Sequence, residues 1–146
     1  MDTARSSFMP SSRQISLALL LLRVAAALAF LYHGSGILFG AFGGPGPLRF
    51  AASHSWPAVL GYLVGLAQFG GALALLTGVF FRFGALCIIV VMLGAIFIIH
   101  LPHGFDVGSG GMEYALTQAL LAMALFLTGP GDYSLASMMP GPVRKF

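Results

Sequence analysis

Four stretches of this chain, Ile15 to Phe39, Pro57 to Phe81, Phe83 to Leu101 and Met112 to Thr128, are too poor in charge to have been built for water. A helix that crosses a bilayer needs about 20 mostly apolar residues, and each stretch approaches that length. Arg23 and Glu113 are the only fixed charges within them. Over the whole chain 58% of residues are hydrophobic and 8% charged, against about 25% charged in soluble domains. Seven Lys/Arg and four Asp/Glu among 146 residues cannot coat a water-facing globule, so a soluble enzyme is excluded. Open backbone cannot face lipid, and no alternating strand pattern is visible, so helices do the spanning. The expected fold is all-α: an integral membrane four-helix bundle.

Breakers bound the spans: Gly43-Gly44-Pro45-Gly46-Pro47 after the first, Pro102 and Gly104 after the third, Gly129-Pro130-Gly131 after the fourth. The second joint, around Arg82, is tight. The chain therefore divides into a tail (1–14), a membrane domain (15–135) and a second tail (136–146). The first span follows Arg5 and Arg13 and contains Ala27-Leu28-Ala29, features it shares with a signal peptide. Arg23 interrupts that core and the apolar run continues to Phe39, so an uncleaved span is expected. Arg5, Arg13, Arg82, Arg144 and Lys145 fall on one side if both termini are there, against Arg49 on the other. The positive-inside rule then puts both termini in the cytoplasm. Tyr32, Trp56 and Tyr114 fall at the outer interface.

Cys87 is the single cysteine, which excludes a disulfide scaffold, a CxxC relay and a cysteine zinc or iron–sulfur site. No Gly-rich nucleotide motif is present, and no metal site is expected. The net charge of +3 comes from scattered basic residues beside the spans; they report orientation, not nucleic-acid binding. Small-xxx-small pairs, Gly61/Gly65, Gly36/Gly40, Ala67/Gly71 and Ala115/Ala119, predict close helix packing. The Met residues and Phe69, Phe80, Phe81, Phe83 and Phe97 read as packing.

A polar residue inside a span is costly, which makes each one a candidate site. Arg23 lies about 12 Å into the first span; it either snorkels towards the cytoplasm or donates to an anion or a quinone carbonyl. His33 is near the outer end of the first span, His100 ends the third, His103 follows Pro102, and Glu113 opens the fourth. All four lie at one level. Neutral histidine in a low dielectric can ligate metal or exchange hydrogen bonds with a quinone, while the simpler reading bonds these rings to loop carbonyls and sets Glu113 at its helix N-terminus. Pro102 disfavours a helical Leu101, so His103 is expected to point from a turn. Gln68 and Gln118 are expected to make interhelical hydrogen bonds. No carboxylate sits mid-membrane, which argues against a proton-coupled transporter.

The run Leu21-Leu22-Arg23-Val24, His33-Gly34, Leu38-Phe39-Gly40 and Phe42-Gly43-Gly44 resembles the opening of the DoxX family of small four-helix membrane proteins. Gly70 to Leu73, Thr77-Gly78, Arg82 with Ala85, His100-Leu101-Pro102-His103-Gly104-Phe105, Glu113-Tyr114 and Gly129 to Leu135 continue the resemblance in order. It implies a membrane oxidoreductase subunit linked to quinone; the family's namesake is a thiosulfate:quinone oxidoreductase subunit. The chain departs from the family where Ile37 replaces a frequent Lys, Gln68 a Glu, and Ala136 an Asp. Loss of the first two keeps the bundle interior neutral.

The resulting expectation is a quinone-interacting subunit. His33, His100, His103 and Glu113 form an outer polar site, and Arg23 and Arg82 are inner anchors. A haem between His33 and His100 has no second ligand pair to support it. Two rivals stand beside this reading: a non-enzymatic scaffold recruiting a soluble redox partner, and a small transporter. The lipid membrane is the one partner the sequence implies directly; oligomeric state and electron donor stay open.

Overall fold

The structure, a computed structural model, describes residues 9–139. Arg5, Arg144 and Lys145, used above for orientation, lie outside them. The described residues are helical, with no strand. Helix α1 (Ser12–Phe39) is 28 residues long, about 42 Å at 1.5 Å per residue. It starts on a capping box: Gln14 N–H donates to Ser11 Oγ (3.3 Å), and Ser11 N–H donates to Gln14 Oε1 (2.8 Å). Helices α3 (Ala58–Thr77) and α4 (Phe81–Gly94) follow, α4 continuing through a π turn (Ala95–His100) and a 3-10 turn (Leu101–His103). Three helices, Ser12–Phe39, Ala58–Thr77 and Phe81–His103, are long and apolar enough to cross a membrane. The fourth, α5 (Glu113–Thr128), is apolar but has 16 residues.

Two boundaries differ from the sequence expectation. The breaker-rich stretch after the first span holds a short helix, α2 (Gly46–Ser53). Pro47 sits in its first turn, where the missing N–H and fixed φ favour a helix start. The third span does not end at Leu101, which is helical (φ −54°, ψ −41°) despite the proline after it. Pro102 occupies the first turn of the 3-10 segment, where its absent N–H breaks no ladder bond. The tight joint falls at Gly78 to Phe80, one turn before Arg82: Gly78 (φ +80°) closes α3 by donating to Ala74 O at 2.8 Å.

Helix α1 packs on α3, α3 on α4, α4 on α5, and α5 returns to α1. Phe30, Leu75, Phe81, Ile88 and Leu125 fill the core between alanines 26, 72, 85, 119 and 122. The small residues do what their spacing predicts. A side chain at Gly61 would strike the Pro47 carbonyl, one at Gly65 would press on Leu38, and one at Gly84 would strike Ala74. Leu21, Leu28, Leu66, Phe97, Leu120 and Leu127 point outward, an apolar surface suited to lipid rather than water.

Candidate functional site

One end of the molecule gathers the start of α1, the α3–α4 hairpin and the segment after α5. Arg23 ties them together. It is completely buried, and its guanidinium donates to four backbone carbonyls: Nε to Leu75 O (2.8 Å), Nη2 to Leu76 O (2.6 Å), and Nη1 to Pro130 O (2.9 Å) and Tyr133 O (2.7 Å). Leu75 and Leu76 lie in the last turn of α3, whose carbonyls lack intrahelical donors and carry the negative end of the helix dipole. The Phe81 ring lies 5.7 Å from the guanidinium carbon. Arg23 therefore neither snorkels nor faces a ligand; its fork is spent on the protein's own backbone. Nearby, Ser16 Oγ donates to Asp132 Oδ2 at 2.7 Å. Arg82, in the first turn of α4, is exposed at this same end.

The opposite end is open. The helices α3 and α4 touch near the hairpin, where Gly71 and Gly84 let them approach, and beyond Leu86 they part around a cavity of about 760 Å³. Its walls are apolar: Phe30 and Ile37 from α1, Leu60, Leu63 and Val64 from α3, and Val90, Ala95 and Ile98 from α4. Phe50 and Trp56 stand at its rim. Each main helix brings one polar residue to its lining, His33 (α1), Gln68 (α3), His100 (the π turn after α4) and Tyr114 (α5), and the Trp56 indole and the Cys87 thiol belong to it as well. Gly34 has its backbone against the Gln68–Phe69 peptide, which sets His33 and Gln68 at one depth. The His33 and Tyr114 rings are 6.0 Å apart. His100 reaches the opposite way with its other nitrogen, where Nδ1 lies 2.7 Å from Gly110 O.

Of the residues expected to share this site, His33 and His100 line the cavity; His103, Glu113, Arg23 and Arg82 do not. His103 is exposed and bonds Ile99 O through Nδ1 (3.0 Å). The π turn and the 3-10 turn bring that carbonyl within its reach. Glu113 accepts from Val107 N–H (3.3 Å), and its own N–H donates to Phe105 O (2.9 Å). Its carboxylate thus orders the loop before α5 at the positive end of that helix. Arg23 and Arg82 belong to the other end. Among the described residues no three His, Cys, Asp or Glu side chains come together as a metal site.

Gln68 and Gln118 differ from expectation as well. Both amide oxygens are buried without a hydrogen-bond partner, in place of the interhelical bonds expected. Gln68 is 6% exposed and is one of the residues on the cavity lining; Gln118 is absent from it. His54, which the sequence did not single out, sits beside the rim. Its Nδ1 is 2.9 Å from Phe50 O, and its ring stacks on Trp56 at 4.8 Å. The signal that could have found it is the aromatic spacing Phe50, His54, Trp56, which is intelligible only once α2 is known to be a helix.

A cavity of this size lies within the range for small-molecule sites, and so does its make-up: apolar walls with few convergent polar groups. It can hold one planar ring against Phe30, Ile37 and Trp56, with hydrogen-bonding groups from four helices around its edge. Residues 18–101 match the model of the DoxX family, a span from α1 to the 3-10 turn that ends α4. No curated protein and no solved structure matches the chain.

Proposed function

This chain belongs to the DoxX family, and within it we propose that the cavity between α1, α3, α4 and α5 binds a lipid-soluble quinone-type ring, making the protein a quinone-interacting subunit of a membrane oxidoreductase. The observation that carries this reading is the polar quartet His33, Gln68, His100 and Tyr114 on an otherwise apolar wall. A ring bearing oxygens at its edge matches both the walls and the quartet. When bound, a quinone supplies two-electron redox chemistry that no side chain here supplies. The protein's own part is to seat the ring on Phe30 and Trp56, exclude water, and hold protons at His33, His100 and Tyr114.

The same reading has four crossings in a bacterial inner membrane. At 16 residues α5 covers about 24 Å, short of the roughly 30 Å hydrocarbon core. Met112 and Gly129 extend it. The hairpin end, carrying Arg13 and Arg82, faces the cytoplasm with both termini, and α2 with Arg49 faces outward.

Protein purified in mild detergent, extracted and titrated with a decyl-tailed benzoquinone, tests the proposal. Saturable binding with about one site per chain is expected. If folded protein neither carries nor binds a quinone, the non-catalytic scaffold reading replaces this one.

A further inference from the structure

The space between α3 and α4 does not end with the cavity. Past Gln68 on α3 and Leu86 on α4, a second groove of about 940 Å³ follows the contact between the two helices down to the hairpin. Cys87 belongs to the walls of both, so the two spaces adjoin there. Gly70, Ala74 and Thr77 form the α3 side of the groove, and Phe80, Phe83 and Gly84 its α4 side. The Thr77 hydroxyl is already spent: it donates to Leu73 O (2.8 Å) and accepts from Val79 N–H (3.2 Å). What the groove offers beyond Cys87 is therefore hydrocarbon surface. Two glycines mark the same path. Glycine weakens a helix relative to alanine, and Gly34, Gly61, Gly65, Gly71 and Gly84 are needed because a neighbour presses on each of them. No neighbour needs Gly70 or Gly94, since a methyl built on either would meet no atom of the protein. Gly70 opens onto the groove and Gly94 onto the cavity, so the space each keeps free is space for an occupant.

We propose that the groove holds the hydrocarbon tail of the same quinone whose ring the cavity seats, so that the ligand is a long-tailed membrane quinone and not a short, water-soluble one. This rests on the quinone reading and extends it. His33, His100 and Tyr114 make the cavity the ring's end, and the groove leads from it along the helices. From Gln68 to Thr77 the path is about 14 Å at 1.5 Å per residue, the scale of a decyl chain. Lipid is as apolar as these walls, so the tail gains from close contact with them and not from leaving water. Its hold on the groove then depends on the room that Gly70 leaves.

The test uses the full chain in detergent, with fluorescence of the single tryptophan, Trp56, at the cavity rim reporting on the ring. The probes are a decyl-tailed benzoquinone, the same ring without its tail, and the decyl form carrying a diazirine at the end of the tail. Gly70→Leu puts a side chain into the groove; it should weaken the decyl quinone about 3- to 10-fold and leave the tailless ring unchanged. Partition into detergent is the same for both proteins and cancels from that comparison. Photolysis of wild-type protein needs no variant to fold: adducts are expected within 70–77 and 79–87, and excess unlabelled decyl quinone should suppress them. Adducts spread over the outward leucines of α1 and α5, adducts that the competitor does not suppress, or a variant that weakens both quinones alike or neither, overturn the tail's path and leave the quinone reading standing. Failure of both the tailless and the decyl ring to bind overturns both.

Discussion

The two ends of the molecule use polar groups in opposite ways. At the hairpin end Arg23, the one buried charge among the described residues, finds a backbone carbonyl for four of its N–H groups, and the surrounding elements are fixed to one another through it. At the loop end the polar groups line an open space, and of the four only His100 is bonded to the protein, through Nδ1 to Gly110 O. The contrast separates two uses of scarce chemistry. A group bonded to the backbone holds the fold, whereas one that faces an open space is left for what enters it.

The largest effect should come from removing the hub. Arg23→Ala strips four carbonyls of their donor, and at about 1 to 3 kcal/mol for each unmet buried group the loss should reach about 3 kcal/mol or more. Thermal unfolding in detergent measures it, and Arg23→Lys should recover only part, since an ammonium cannot span the fork. A hub variant as stable as wild type would erase the contrast between the ends.

Next comes the join between α2 and α3. Gly61→Ala places a methyl against the Pro47 carbonyl, so α2 must move, at about 1 to 3 kcal/mol. The shift should register in Trp56 fluorescence and in weaker ring binding, with a smaller fall in melting temperature than Arg23→Ala gives. Unchanged fluorescence would detach α2 from the cavity.

The smallest change in stability, and the sharpest in binding, belongs to the histidines. His100→Ala should lower quinone affinity about 2- to 13-fold, one neutral hydrogen bond, while stability moves by no more than about 0.5 kcal/mol. His103→Ala, whose ring is bonded to Ile99 outside the cavity, should alter neither. Equal loss from both variants would move the site from the cavity to the loop.

Hydropathy made the spans legible because solvent choice acts on every residue of a 20-residue run, and the boundaries of α1 and α5 fell within a few residues of expectation. Helix α2 was not legible: Gly and Pro mark breaks when counted by composition, yet Pro47 helps a helix when it stands in the first turn. The role of Arg23 was hidden for another reason. Its partners are carbonyls at positions 75, 76, 130 and 133, and backbone acceptors leave no side-chain signature. Matched depth put His33 and His100 at one level, and both are on the cavity lining. It could not distinguish them from Glu113 and His103, because depth along a helix says nothing about which way a side chain faces.

That facing is decided for His100 by the widened turn between Gly94 and Leu101. A π turn holds one residue more than an α turn, and each α-helical residue advances the helix by about 100°. Removing any one of residues 95–99 would restore the regular phase and swing the ring through about that angle, away from the space it lines. The aim of the group that reads the ligand is thus stored in chain length, as a count of residues, and a deletion that changed no polar side chain would disarm the site.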